Sequence, residues 1–76
     1  MKQLIEYLVK ALVDEPDRVQ IDEVPGEEAT TYEVRVAPDD LGKVIGKQGR
    51  IARALRTVVK ASAVRAGRRV HVEIAA

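Results

Sequence analysis

Leu4, Ile5, Leu8, Val9 and Leu12 recur three and four residues apart, a spacing that aligns them along one side of a helix, while Glu6 and Lys10 form an i, i+4 pair on another side. The pattern predicts an amphipathic helix over residues 2–13, stopped by Asp14-Glu15-Pro16-Asp17. The period then drops to two. Val19 and Ile21 alternate with Gln20 and Asp22, and Tyr32, Val34 and Val36 alternate with Thr31, Glu33 and Arg35, so residues 18–24 and 30–36 read as strands with one buried face each. Val24-Pro25-Gly26-Glu27-Glu28 supplies turn residues between them and favours an antiparallel hairpin, with Pro25 near a strand end where a missing N–H is tolerated.

Helical periodicity returns after Pro38-Asp39-Asp40, where an aspartate can accept from the free N–H groups of a first turn. Leu41, Val44 and Ile45 give a short apolar face. Residues 50–66 continue as a longer helix, with Ile51, Leu55, Val58 and Ser62 along one side, Arg53, Arg56 and Lys60 on others, and Gly67 as the stop. Residues 69–74 alternate again, Val70, Val72 and Ile74 inward. The order is α-β-β-α-α-β. A helix pair separating two strands is long enough for a right-handed crossover, so the last strand is expected parallel to the second, with all three helices on one face of a three-stranded mixed sheet. That is an α+β two-layer sandwich.

The 76 residues suit one domain, spanning 1–76, and the balance of 46% hydrophobic and 33% charged residues suits a globular chain. No cysteine is present, which removes disulfides, thiolate metal sites and cysteine nucleophiles and fits a reducing, cytoplasmic setting. The first helix carries Glu6 and Lys10 within its apolar stretch, so neither a signal peptide nor membrane insertion is expected. The net charge of +1 hides an asymmetry: residues 1–40 hold four Lys/Arg against eleven Asp/Glu, a net −7, whereas residues 41–76 hold nine Lys/Arg against Glu73 alone, a net +8. A polyanion would find its face in the second part.

Within that part lies Val44-Ile45-Gly46-Lys47-Gln48-Gly49-Arg50-Ile51. Three glycines, at 42, 46 and 49, disfavour one continuous helix by roughly 3 kcal/mol, so a turn is expected, with Gly46 at positive φ and Gly49 opening the next helix. A packing turn needs no charge, yet Lys43, Lys47, Arg50 and Arg53 surround this one. Glycines would let a sugar-phosphate backbone approach the main chain, and N–H groups at the start of the Arg50 helix favour an anion. A C-cap followed by a turn remains the plainer reading of G-x-x-G alone.

The octapeptide resembles the (I/V)-I-G-x-x-G-x-x-I signature of KH domains, with Ile51 or its neighbour Ala52 taking the last apolar position, and the element order is similar to the type II, prokaryotic form. Length and the stretch Gly42 to Lys60 resemble the small stand-alone bacterial members. The resemblance implies a non-catalytic RNA-binding domain, an RNA chaperone or post-transcriptional regulator of low sequence specificity, that holds about four nucleotides of single-stranded RNA in a groove. Gly46, Lys47, Gln48 and Gly49 would be the clamp, Lys43, Arg50 and Arg53 flanking phosphate contacts, and Val44, Ile45 and Ile51 either groove floor or core. It further implies a homodimer, or a heterodimer with a larger KH protein. Two rivals stand beside it: a protein-interaction module whose turn serves packing, and a helix-turn-helix DNA reader presenting Arg50 to Arg56 to the major groove.

Other chemistry is poorly served. Two tyrosines, Tyr7 and Tyr32, are the only aromatics, and both are read as packing, so no stacking platform can be assembled. His71 and Ser62 are the sole residues of their types, Asp39 and Asp40 read as caps, and no cofactor or metal is expected. A P-loop fails because Lys47, not glycine, lies five residues after Gly42.

Overall fold

The computed structural model describes residues 1–75. Helix α1 (Lys2–Lys10) buries Ile5 and Val9, while Leu8 and Leu12 stay half-buried beside them. It is shorter than its apolar stripe suggests. Leu12 N–H turns back to the Val9 carbonyl at 3.0 Å, and the next N–H groups, of Asp14 and Glu15, are drawn to the Asp40 carboxylate at 3.2 and 3.0 Å. A short turn at Pro16–Arg18 leads into strand β1 (Gln20–Pro25), which pairs antiparallel with β2 (Thr30–Arg35) in the register Ile21 to Val34 and Glu23 to Tyr32. Val36 lies just past β2 but extends the ladder, its N–H donating to the Ala75 carbonyl at 3.2 Å.

A turn at Pro38–Asp40 starts helix α2 (Leu41–Ile45), helix α3 (Arg50–Arg65) follows, and strand β3 (Val70–Ala75) returns parallel to β2. The sheet order is β1-β2-β3, and the fold is the expected α+β sandwich with a mixed sheet. Ile21, Tyr32, Val34, Val70 and Val72 form the inner sheet face against Ile5, Val9, Val44, Leu55 and Val59 of the helices. Tyr32 is fully buried, and its hydroxyl donates to Glu23 at 2.6 Å, which satisfies the one polar atom this ring brings inside.

The inner face of α3 is not the side shared by Ile51, Leu55, Val58 and Ser62. Ala52, Leu55, Val59 and Ala63 are buried, whereas Ile51 and Val58 are 36% and 47% exposed and Ser62 is half-buried. The stripe is turned by about one residue, roughly 100° of helix. Two alanines let α3 approach the sheet closely, and Ile51 and Val58 move to the flank that meets α1. There they line an apolar groove of about 280 Å³ with Leu8, Leu12, Ala54 and Leu55.

Candidate nucleic-acid interface

The loop between α2 and α3 is built on backbone conformations that most side chains resist. Gly46 has φ 75° and ψ 178°, a region open in practice only to glycine. A Cβ at Gly46 would lie 2.5 Å from Ile51 Cγ1 and 2.9 Å from Ile51 Cβ, so the first turn of α3 sits directly against the loop's main chain. Gln48 (φ 57°) and Gly49 (φ 73°) are both left-handed, and they reverse the chain into α3.

Gly49 differs from Gly46 in what surrounds it. A Cβ there would meet nothing within 4 Å, so the loop faces open space on that side. The donors are distributed otherwise than expected. Gly46 N–H donates to the Gly42 carbonyl at 2.8 Å, Gly49 N–H to Gly46 at 3.2 Å, and Arg50 N–H to Lys47, so the amides at the α3 entry hold the turn together. Among the described residues, the N–H groups of Lys47 and Gln48 have no such acceptor. The main-chain donors available to a ligand therefore sit at the loop tip rather than in the helix itself.

Side chains sort the expected cations into two groups. Lys43 is already engaged, pairing with Asp14 and lying 3.6 Å from Asp40. The hydrogen bond to Asp14 leads the effects that raise its pKa above the usual lysine value. Lys47, Arg50 and Arg53 have no carboxylate within ion-pair distance among the described residues, and all three are exposed. Lys43 thus has its charge paired, while the other three cations present theirs to solvent.

The apolar candidates also divide. Val44 is fully buried in the core and offers no surface, Ile45 is half-buried, and Ile51 is partly exposed. Behind them Asp40 fixes the entry to α2. Although 2% exposed, its carboxylate accepts from two main-chain N–H groups of the segment after α1 and faces Lys43. Burial by itself would raise its pKa, but the Asp14 and Glu15 N–H groups and the Lys43 charge outweigh it and hold it below the usual aspartate value. Sequence reasoning made Asp40 a helix cap; its partners instead lie 25 and 26 residues away, a long-range tie with no local signal.

A sequence profile described as "KhpA/KhpB, KH domain" matches residues 2–74. The chain belongs to the KhpA/KhpB KH-domain family. A protein named RNA-binding protein KhpA from Clostridium acetobutylicum is 62% identical over 74 residues, covering 97% of this chain and 99% of its own. Its namesake from Clostridium perfringens is 57% identical with the same coverage, and one from Aquifex aeolicus is 51% identical over 97% of this chain and 94% of its own. Among solved structures, a crystal structure of Aquifex aeolicus Era aligns with a TM-score of 0.63 at 20% identity, over 95% of this chain and 28% of Era. A crystal structure of Era in complex with a nucleotide ligand and a segment of 16S ribosomal RNA gives the same values. At that identity the likeness establishes the fold, and the α-β-β-α-α-β order with parallel β2 and β3 is the type II arrangement expected of the family.

No group of three or more metal-binding side chains occurs among the described residues, and no helix there is long and apolar enough to cross a membrane.

Proposed function

We propose that this chain is a non-catalytic, single-stranded RNA-binding protein in which the Gly46–Gly49 loop clamps the sugar-phosphate backbone. The observation that carries the reading is the open loop tip: two main-chain N–H groups without acceptors, an uncovered Gly49, and Lys47, Arg50 and Arg53 free of acidic partners. The three relatives that carry the name RNA-binding protein, each of about this size, support it. Phosphate contacts supply affinity without reading sequence, so specificity is low, in keeping with an RNA chaperone or post-transcriptional regulator working in the cytoplasm. Ile45 and Ile51 are the apolar side chains beside the loop available to bases, whereas Val44 is buried in the core.

The test replaces Lys47 and Gln48 by Asp and titrates labelled single-stranded RNA, single-stranded DNA and duplexes at two salt concentrations. Both side chains are exposed, so the fold should persist by circular dichroism while single-stranded RNA binding is lost. Binding by the variant equal to wild type sinks the clamp. Duplex preference in the wild type would favour a helix-turn-helix reading instead.

Self-association, or pairing with a larger KH protein, is a second role that one observation favours: the apolar groove where Ile51 and Val58 lie open between α1 and α3. Val58→Glu should lower the molar mass measured by light scattering if the groove closes against a second copy. An unchanged mass removes the homodimer.

A further inference from the structure

The loop is not the only cationic surface on α3. Arg53, Arg56 and Lys60 follow at i, i+3 and i+7 on the flank opposite Ile51 and Val58, and that flank runs beside β3, whose Val72 carbonyl accepts from Arg56 Nε at 3.2 Å. The same side of the helix ends at Val64, which is 74% exposed. Here the structure has a depression of about 300 Å³ floored by Ala63 and Val70 and edged by Val64, Lys60, Arg69 and His71. Lys60 and Arg69 have no carboxylate within ion-pair distance among the described residues. Arg68, also on the rim, donates one long bond of 3.4 Å to the Tyr32 hydroxyl and keeps its charge, and Glu28 is the one acid at the edge.

We propose that this depression is a second nucleotide subsite, at the far end of α3 from the loop, which takes a further nucleotide of the same RNA strand. The inference rests on the clamp reading above. An apolar floor of this size suits the face of a base, and cations without carboxylate partners beside it, Lys60 and Arg69 foremost, suit the adjoining phosphates, a charge match that an uncharged peptide would leave unused. Fifteen residues of helix separate Gly49 from Val64, about 22 Å. The strand would therefore extend along the Arg53–Arg56 flank well beyond the roughly four nucleotides that a G-x-x-G loop holds.

The experiment compares fluorescein-labelled RNAs of four and ten nucleotides on the wild type, on Lys60→Ala/Arg69→Ala, on Val64→Glu and on the Lys47→Asp/Gln48→Asp loop variant, each checked by circular dichroism. Wild type and variant meet the same RNA, so the larger number of registers on the longer strand cancels. The distal variants should bind the ten-nucleotide RNA about tenfold more weakly, and the double alanine variant should lower the salt slope by about 1.4, as for two phosphates on a single strand. Their affinity for the four-nucleotide RNA should not change. Unchanged binding of the longer RNA overturns the subsite, as does an equal loss on both lengths, which would mean a diffuse charge effect. Amide shifts at Val64 and His71 with free AMP, but not with the ten-nucleotide RNA, would overturn it in favour of a mononucleotide site. If the loop variant alone keeps wild-type affinity for both RNAs, the clamp reading fails and this proposal fails with it.

Discussion

Replacing either loop glycine by alanine should give very different costs, because their surroundings differ although both have positive φ. At Gly46 the backbone lies where only glycine is comfortable, worth about 1–3 kcal/mol of strain for any other residue. The new methyl would also overlap Ile51 Cγ1 at 2.5 Å, Cδ1 at 2.8 Å and Cβ at 2.9 Å. Rotation of Ile51 about χ1 could withdraw Cγ1 and Cδ1, but Cβ is fixed to the backbone of α3. The overlap must therefore displace the helix or the loop, an overpacking cost of about 1–3 kcal/mol. Allowing a gain of about 0.4–1 kcal/mol from the stiffer unfolded chain, Gly46→Ala should cost roughly 1–6 kcal/mol, with a midpoint of about 3. At Gly49 the φ of 73° and ψ of 15° is the ordinary left-handed region and nothing lies within 4 Å, so the net cost is about 1 kcal/mol. For a domain of this size 1 kcal/mol moves Tm by about 4–8 °C, so thermal melts separate the two readily. Urea titrations of Gly46→Ala, Ile51→Ala and the pair should show the double variant less destabilised than the sum, since truncating Ile51 removes the two closest overlaps. Equal costs at the two glycines, or strict additivity of Gly46→Ala with Ile51→Ala, would refute the contact.

Gly49→Ala has a second expected outcome: its methyl points into the open side of the loop where the proposed clamp would hold RNA, so RNA affinity should fall by about tenfold or more while the loss of Tm stays within the ~4–8 °C that 1 kcal/mol implies, measured by anisotropy and melting on the same sample. Asp40→Asn should be less stable than wild type at neutral pH, because the ionised carboxylate accepts from two N–H groups and faces Lys43. Its folded pKa lies below the unfolded value, so this advantage is fully present above about pH 4 and is lost as the pH falls through the lowered folded value; urea titrations of both proteins from pH 7 to pH 2 should converge at the acid end.

Most of the architecture could be read from period alone. The switch from the three-and-four spacing of Leu4 to Leu12 to the alternation of Tyr32 and Val34 marked helix and strand, and the G-x-x-G run announced the turn between α2 and α3. Three features were not legible, each because it depends on a partner distant in sequence. The inner face of α3 is set by whether α1 or the sheet lies against a given flank, which periodicity fixes only to about one residue, so the shared side of Ile51, Leu55, Val58 and Ser62 does not tell which of them is buried. Asp40 binds main-chain donors of residues 14 and 15, and Asp14 in turn removes Lys43 from the set of free cations. The basic depression at Lys60, Arg69 and His71 closes against Glu28 and Ala29 of the turn before β2, so the excess of cations in residues 41–76 does not locate it.

The central claim is that a nucleic-acid strand rests against the main chain of residues 46–49, and amide chemical shifts report on that contact most directly. In a titration of 15N-labelled protein with single-stranded RNA, the account predicts the largest shifts at the Lys47, Gln48 and Gly49 N–H groups, followed by Arg50 and Ile51. Saturating RNA that leaves those amides unmoved, with the shifts gathered instead on the outer sheet face around Asp22, Glu33 and Glu73, would contradict it.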